Sequence, residues 1–238
     1  MPSVLGPALC AHAAWIEAIE LLLQSGDQDN LLVEFTPGCT VHSPFEEQWD
    51  RALPPSTGFA RLETVRNTIF PSNIAATSGT RAQLFERYSA IYPRVLRHNP
   101  RGTYFGRMMG YDRARDLAAG TNQLENVIRE MGRNKGLCHA SEVTLVVPEK
   151  DTRPMGFPCL SHLSFHRAAD NQVRLTAIYR NHYFIQRALG NYLALADLLR
   201  FISREAGRVP GNVSVLSAHA TIERRGLAAS AVGIWRNS

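Results

Sequence analysis

The stretch VRLTAIYRNHYF, residues 173–184, leads within a few residues to NYLALADLLRFISREAG, residues 191–207. The first is rich in β-branched and aromatic residues and predicts one long strand. The second repeats apolar residues at helical spacing, and Gly207 is placed to end the helix. Together with the segments on either side, this strand and helix predict an α+β fold.

The remaining segments extend the same mixture. Further helices are predicted over residues 12–24, 80–97 and 121–132, the second of them kinked or ended near Pro93. Further strands are predicted over residues 31–35, 141–147 and 213–221. Residues 37–60 carry Pro37, Pro44, Pro54 and Pro55 and predict a loop. Because no repeat or Gly/Ser-rich linker interrupts the chain, we expect one domain over residues 1–238.

The composition narrows the classes of function. At 238 residues and 45% hydrophobic content the chain can build a large core. Its net charge of +5 comes almost entirely from arginine, since Lys135 and Lys150 are the only lysines. Arginine suits bidentate binding of phosphate or carboxylate, although an arginine-rich codon bias accounts for the excess equally well. No dense basic run is present, so a nucleic acid polymer is not an expected partner.

The N-terminal segment predicts an amphipathic helix rather than a signal peptide, because Glu17 and Glu20 interrupt its apolar part. The sequence contains no window of 18 apolar residues, so no membrane span is predicted. The four cysteines lack the spacing of metal ligands and are too few for a disulfide scaffold. We therefore expect a soluble, cytoplasmic protein without a metal site or a membrane partner.

The stretch GFPCLSHLSF, residues 156–165, raises the question of whether Cys159 is a nucleophile. A reactive thiol needs a nearby cation or helix N-terminus to lower its pKa. Taken alone, each cysteine is better interpreted as a buried, inert thiol, and this is the expectation for the other three: Cys10, Cys39 and Cys138.

Three polar residues follow Cys159 in chain order. Arg180 could bind a phosphate or form a salt bridge, and His219 could bind a sugar hydroxyl or be structural. Asn191 could cap the helix that begins there, or bind a ligand. Its amide both donates and accepts hydrogen bonds, so it could pair with the O4 and N3–H edge of uracil.

The order and spacing of these residues resemble the C-terminal half of the thymidylate synthases. Pro158-Cys159 matches the family's Pro-Cys, and Phe165 falls on its phenylalanine. Arg180 matches the arginine that binds the phosphate.

The resemblance continues downstream and upstream. Asn191 lies at the family's spacing from that arginine, and Ala218-His219 matches its Ala-His pair. Residues 103–107 and 122–128 look like two further family segments. The resemblance covers about residues 100–222, and residues 1–99 cannot be aligned.

The resemblance implies an α+β homodimer built on a twisted sheet. It also implies one-carbon transfer from 5,10-methylenetetrahydrofolate to C5 of a pyrimidine nucleotide or nucleoside. Cys159 would add to C6 as a thiolate, with Arg180 lowering its pKa and holding a phosphate. Asn191 would orient the base and His219 the ribose.

Several positions depart from the family pattern. Leu160 and Ser164 replace a histidine and a glutamine. Asn181 replaces a serine and Thr221 a tyrosine, and both still carry hydrogen-bonding groups for substrate. Tyr183 replaces an aspartate that helps hold folate, which makes it the candidate cofactor-binding residue.

Two consecutive arginines that reach the partner's phosphate site in the family fall on His139 and Ala140. Neither is a fixed cation. The nearest replacements in sequence are Arg107, Arg133 and Arg153.

A glutamate from the N-terminal half serves the family as an acid/base. Glu63 and Glu86 are the candidates here, and we favour Glu63 because Arg61, Arg66 and Asn67 would give it a polar surrounding. A plain surface carboxylate is the alternative for both.

The sequence therefore predicts a divergent methyl- or hydroxymethyltransferase acting on C5 of a pyrimidine, with a slight preference for uracil over cytosine. A non-catalytic or rewired nucleotide-binding dimer on the same fold is the main alternative. A cysteine hydrolase pairing Cys159 with His162 or His219 is the third.

Overall fold

The computed structural model describes residues 2–38, 44–111, 116–133, 141–152, 158–168 and 170–237. The strands are β1 (Val4–Ala8), β2 (Gln28–Phe35), β3 (Ser141–Thr144), β4 (Leu160–Arg167), β5 (Gln172–Tyr179), β6 (His182–Tyr183) and β7 (Val209–Thr221). The helices are α1 (Ala11–Ser25), α2 (Pro44–Ala52), α3 (Leu62–Ile69), α4 (Ser72–Ala76), α5 (Arg81–His98), α6 (Tyr104–Met109), α7 (Gln123–Gly132), α8 (Leu189–Glu205) and α9 (Arg225–Arg236). Short 3-10 turns lie at Pro55–Thr57 and Leu117–Ala119, and a π-helical turn spans Phe184–Ala188.

The described strands form one mixed sheet in the order β1-β2-β7-β5-β4-β3, with the short β6 also paired to β7. The pairs β1–β2, β5–β7 and β6–β7 are parallel, and the others are antiparallel. Buried and less buried residues alternate along most of β7, as expected of a central strand. The prediction of a mixed α+β protein is confirmed.

Helix α8 is the most deeply buried helix of the described chain. Every residue in it is buried except Arg200, Arg204 and Glu205. It packs against the sheet and against α1, α3 and α7, and Tyr192 stacks on Phe35 of β2 with ring centroids 5.2 Å apart. Gly207 follows its end at φ +66°, a conformation that glycine adopts without strain. The predicted helix over residues 191–207 is therefore confirmed, with its start two residues earlier.

The single long strand predicted over residues 173–184 is wrong. Strand β5 ends at Tyr179, and after a two-residue turn the chain pairs with β7 as β6. A π-helical turn then leads directly into α8. The Trp15 indole N–H donates to the Phe184 carbonyl at 2.7 Å, which fixes this turn against α1. The aromatic run thus folds as a short strand and a turn, because tertiary contacts override local strand preference.

The loop predicted over residues 37–60 is also partly wrong. Pro44 begins α2, where a missing backbone N–H costs nothing. Phe45 and Trp49 are buried and both contact the Trp15 ring. Pro93 does not end α5, which runs on to His98. Among the described residues, none of the helices has the length and apolar character needed to cross a bilayer. The predictions of one domain and a homodimer stay predictions.

Helices α3 and α8 meet at Gly190, and this contact can be tested. A Cβ added at Gly190 would lie 2.7 Å from Cβ and Cγ1 of Val65, whereas one added at Gly233 of α9 meets no atom within 4 Å. Gly190→Ala should lower the free energy of unfolding by about 1–3 kcal/mol through overpacking. Gly233→Ala should leave it unchanged or raise it by up to about 1 kcal/mol. Urea denaturation of both variants is the measurement, and equal effects would contradict the close packing.

Candidate functional site

A cavity of about 360 Å³ lies beside the start of β4, the turn after β5 and the N-terminal part of α8. This volume falls in the range of small-molecule sites. The wall carries many polar and ionisable side chains. Its lining residues are Val65, Thr68, Asn99, Arg101, Gly102, Thr103, Tyr104, Arg107, Pro158, Cys159, Tyr179, Asn181, His182, Tyr183, Gln186, Arg187 and Asn191.

Cys159 stands in this wall immediately before β4. Its carbonyl accepts a hydrogen bond from the Arg180 backbone N–H at 2.9 Å, which anchors it to the turn after β5. Burial raises the pKa of the Cys159 thiol, and the charges of Arg180 and Arg187 oppose this rise without cancelling it. Arg180 therefore lowers the pKa of Cys159 as expected, but by less than desolvation raises it. The thiol is protonated at neutral pH in the absence of ligand.

Tyr104 supports the other side of Cys159. Its hydroxyl accepts a hydrogen bond from the Leu160 backbone N–H at 3.4 Å. Thr103 caps the helix that carries it, since its hydroxyl accepts the Gly106 N–H at 3.0 Å. Burial raises the pKa of Tyr104, so its hydroxyl stays protonated. The upstream segment noted in the sequence therefore contributes to the cavity through its tyrosine.

Asn191 is held by a buried chain of hydrogen bonds. It is 5% exposed and lies inside α8, so the N-cap interpretation is wrong. Its Nδ2 lies 3.1 Å from Nε2 of His182, whose Nδ1 lies 3.0 Å from Oγ of Ser217. Burial lowers the pKa of His182 to about 3, so the ring is neutral. With Asn191 donating to Nε2, Nδ1 carries the proton, and Oδ1 of Asn191 remains available to a ligand.

Two polar atoms of lining residues have no hydrogen-bond partner among the described residues. They are Oδ1 of Asn181 and the hydroxyl of Tyr179, and both are buried. An unpaired buried polar atom costs about 1–3 kcal/mol. A polar ligand in the cavity could remove that cost, so the pair points to a binding site.

The arginines around the cavity differ in their environment. Arg107 forms a bidentate ion pair with Asp151, at 2.6 and 2.9 Å. Arg187 projects from the π-helical turn into the lining near Cys159, and Arg101 also lines the cavity. Arg133 is not in the lining and pairs with Glu130. The predicted replacement Arg153 and the positions His139 and Ala140 lie outside the described residues.

Four predicted site residues lie outside this lining. The Arg180 side chain is exposed and donates to the Pro158 carbonyl at 3.3 Å. His219 and Thr221, near the end of β7, hydrogen-bond Asp29 and Asp27 of the neighbouring segment at 3.0 and 2.9 Å. Glu63 accepts hydrogen bonds from Asn67 and Asn73 and lines a separate surface depression. Their predicted roles stay predictions.

The sequence reasoning missed several polar residues of the lining, among them His182, Gln186 and Arg187. These three lie between β5 and α8, His182 inside the strand predicted over residues 173–184 and the other two just after it. The sequence feature that could have indicated them is a cluster of hydrogen-bonding and cationic side chains directly after Arg180.

Comparison with known proteins shows sequence similarity over about half of the chain. No protein-family model matches the sequence. The chain is 32% identical to the protein named "Putative thymidylate synthase" of Methanococcoides burtonii over 110 residues, which are 46% of this chain and 50% of that protein. Proteins of the same name from Methanosarcina barkeri and Methanosarcina mazei are each 28% identical over the same shares. The chain spans about half the length of the curated relatives it matches, and these similarities support a distant thymidylate-synthase-like relationship.

Proposed function

We propose that this protein transfers a one-carbon unit, methyl or hydroxymethyl, to C5 of a pyrimidine nucleotide or nucleoside through a Cys159 adduct at C6. The observation that carries the proposal is the position of Cys159 in a cavity whose wall also holds the anchored amide of Asn191. The similarity to thymidylate-synthase-like proteins supports the same class of reaction.

Asn191 is the residue proposed to recognise the base. Its Oδ1 can accept from N3–H of uracil, and the second hydrogen on Nδ2 can donate to O4. Cytosine presents an unprotonated N3 instead, so the same amide orientation fits it less well. The hydrogen bond to the neutral His182 holds this orientation, which favours uracil.

Cys159 is the proposed nucleophile. Its thiolate adds to C6, and the electron pair moves through the ring to make C5 a carbon nucleophile. C5 would then gain the one-carbon unit and lose its proton, and the bond from that carbon to the folate nitrogen would break. The carbon would take a hydride from the folate to become methyl, or water to become hydroxymethyl, and the Cys159 sulfur would leave from C6. Because burial keeps the resting thiol protonated, the thiol must lose its proton on substrate binding, and Arg180 and Arg187 stabilise the thiolate that forms.

The cavity residues fit a folate ring system in part. The exposed ring of Tyr183 offers a stacking surface, and the amides of Gln186 and Asn181 offer hydrogen bonds. These residues would hold the pterin ring. When bound, 5,10-methylenetetrahydrofolate supplies the one-carbon unit as an electrophile. The carboxylate that the family uses for the ring is replaced by Tyr183, so hydrogen bonding differs from the family pattern.

Adduct formation tests the proposal directly. The protein is incubated with 5-fluoro-dUMP, 5-fluoro-UMP or the corresponding cytosine nucleotides, with and without methylenetetrahydrofolate, and digested for mass spectrometry. We expect a pyrimidine-plus-folate mass on the Cys159 peptide, and none in Cys159→Ser. The Cys10 peptide in the same digest is the internal control.

The same experiment separates the alternative. A non-catalytic nucleotide-binding protein is favoured by the raised pKa of Cys159. It predicts nucleotide binding by calorimetry without any adduct, which would overturn the transferase proposal. The hydrolase alternative has less support, since His162 pairs with Glu142, and neither it nor His219 lines the Cys159 cavity.

Arg187→Gln tests the cation near the thiol. The charge of Arg187 counteracts the rise in the Cys159 pKa that burial causes. Without this charge the pKa of Cys159 rises further, and the thiolate fraction at neutral pH falls. Adduct formation at pH 7 should slow about threefold to tenfold, and its rise with pH should move to higher pH. Arg94→Gln, at an exposed position on α5, should change neither. An unshifted pH profile in Arg187→Gln would contradict this role.

Asn191→Asp tests base recognition. An ionised aspartate cannot donate to O4 of uracil, but it can accept from the 4-amino group of cytosine. Release of tritium from C5 of uracil nucleotides should fall about 100-fold in kcat/KM, while cytosine nucleotides should lose less or gain. Asn126→Asp on α7, outside the cavity, should leave both rates unchanged. An equal loss on both bases would count against recognition by Asn191.

A further inference from the structure

A second group of reactive side chains lies away from the Cys159 cavity. Cys10, His12 and Glu46 line a small cavity together with Arg66 and Arg200, and none of its lining residues is shared with the Cys159 cavity. The sequence analysis expected Cys10 to be a buried, inert thiol. The expected burial is wrong, because Cys10 is only half-buried, and it is the N-cap residue of α1.

The thiol of Cys10 is the N-cap group of α1. Its Sγ accepts the Ala13 backbone N–H at 3.5 Å, and three further turns of helix lie behind it. The N-terminus of a helix favours a negative charge through its free N–H groups and its dipole. This placement alone does not make a site, but a histidine and a carboxylate stand beside it.

His12 is held as a cation next to this thiol. Its Nε2 lies 2.9 Å from Oε1 of Glu46, and both side chains are almost fully buried. Its ring stacks on Trp235 with centroids 6.3 Å apart and meets Phe45 edge-on at 5.9 Å. Burial opposes the charge, but hydrogen bonds to Cys10 and Glu46 outweigh it and raise the pKa of His12 to about 9.

The pKa of the Cys10 thiol shifts in the opposite direction, downward. The hydrogen bond with His12 lowers the pKa of Cys10 most, burial opposes this, and the Ala13 N–H lowers it further. The other charged groups that face the cavity bind one another. Asp197 of α8 accepts from Arg66 of α3 at 2.5 Å and also from Arg200. His12 is therefore the cation that acts on Cys10.

The cavity is small, at about 20 Å³, which suffices for one water-sized molecule. A nucleotide or a folate does not fit, and among the oxidants that react with thiols hydrogen peroxide is one of the smallest. Such a molecule presents an electrophilic oxygen to a thiolate and needs a proton on the oxygen that leaves.

We propose that Cys10, His12 and Glu46 form a thiol oxidation site that reacts with hydrogen peroxide and similarly small hydroperoxides. The Cys10 thiolate attacks one peroxide oxygen, an S–O bond forms and the O–O bond breaks. The imidazolium of His12 donates its proton to the leaving oxygen, which departs as water from hydrogen peroxide or as an alcohol from an organic hydroperoxide. Sulfur is oxidised by two electrons to the sulfenic acid and the peroxide is reduced. Glu46 is a positioning residue that keeps His12 charged and oriented.

The first test is the pH profile of Cys10 in the wild-type chain. The reduced protein is treated with hydrogen peroxide in the presence of dimedone, and separately with iodoacetamide, between pH 6 and pH 8. Each cysteine peptide is quantified by mass spectrometry. An ordinary thiol with a pKa near 8.5 loses roughly 75-fold in rate over this range. Because the pKa of Cys10 is lowered, we expect Cys10 to lose markedly less than this and to carry the dimedone adduct at pH 6.

The second test uses variants of the two partners. His12→Gln and Glu46→Gln should restore the steep pH dependence and slow labelling of Cys10 at pH 6 about tenfold or more. His162→Gln is the matched control, since His162 also pairs with a glutamate but lies on β4 away from Cys10. It should leave Cys10 labelling unchanged.

Three results would overturn the proposal: an ordinary pH profile for wild-type Cys10, no dimedone adduct on its peptide, or unchanged labelling in folded His12→Gln. The wild-type profile decides the question even if a variant fails to fold. Because the readout is on Cys10, it is independent of whether Cys159 forms a pyrimidine adduct.

Discussion

The rest of the structure depends on the burial of α8. This helix is apolar almost all round and is covered by the sheet and by three other helices. Its few polar side chains must therefore find partners inside the protein, since an unpaired buried polar group is costly. Asn191 finds His182, and Asp197 finds Arg66, Ser72 and Arg200. These two sets of contacts position the walls of two separate cavities.

The two described cysteines show how position sets thiol chemistry. Cys159 precedes a strand, where burial outweighs the nearby arginines and keeps the thiol protonated. Cys10 begins a helix and faces a histidine held charged by a buried glutamate, so its pKa is lowered. A thiol that ionises only when substrate arrives suits addition to a pyrimidine, because it limits side reactions. A thiol with a lowered pKa suits reaction with a freely diffusing oxidant, because a larger fraction of it is thiolate at a given pH.

The proposed recognition of the base rests on a neutral histidine. His182 is buried between Tyr179 and α8, with its ring stacked on Tyr179 at 4.0 Å. Burial keeps it neutral, and a neutral imidazole has one donor and one acceptor nitrogen. Ser217 and Asn191 occupy these two sites. A chain of hydrogen bonds thus connects the Asn191 amide in the cavity to the central strand β7.

The sequence by itself determined the mixed α+β class, the helices α1, α5, α7 and α8, and the candidates Cys159, Asn181, Tyr183 and Asn191, which do line one cavity. Apolar periodicity and motif spacing are local properties, so they can be read from the chain. Only the tertiary structure decided that residues 180–188 leave the strand, and that His182 and Arg187 join the wall. Only it brought Glu46 to His12, because contacts between distant segments leave no spacing to detect.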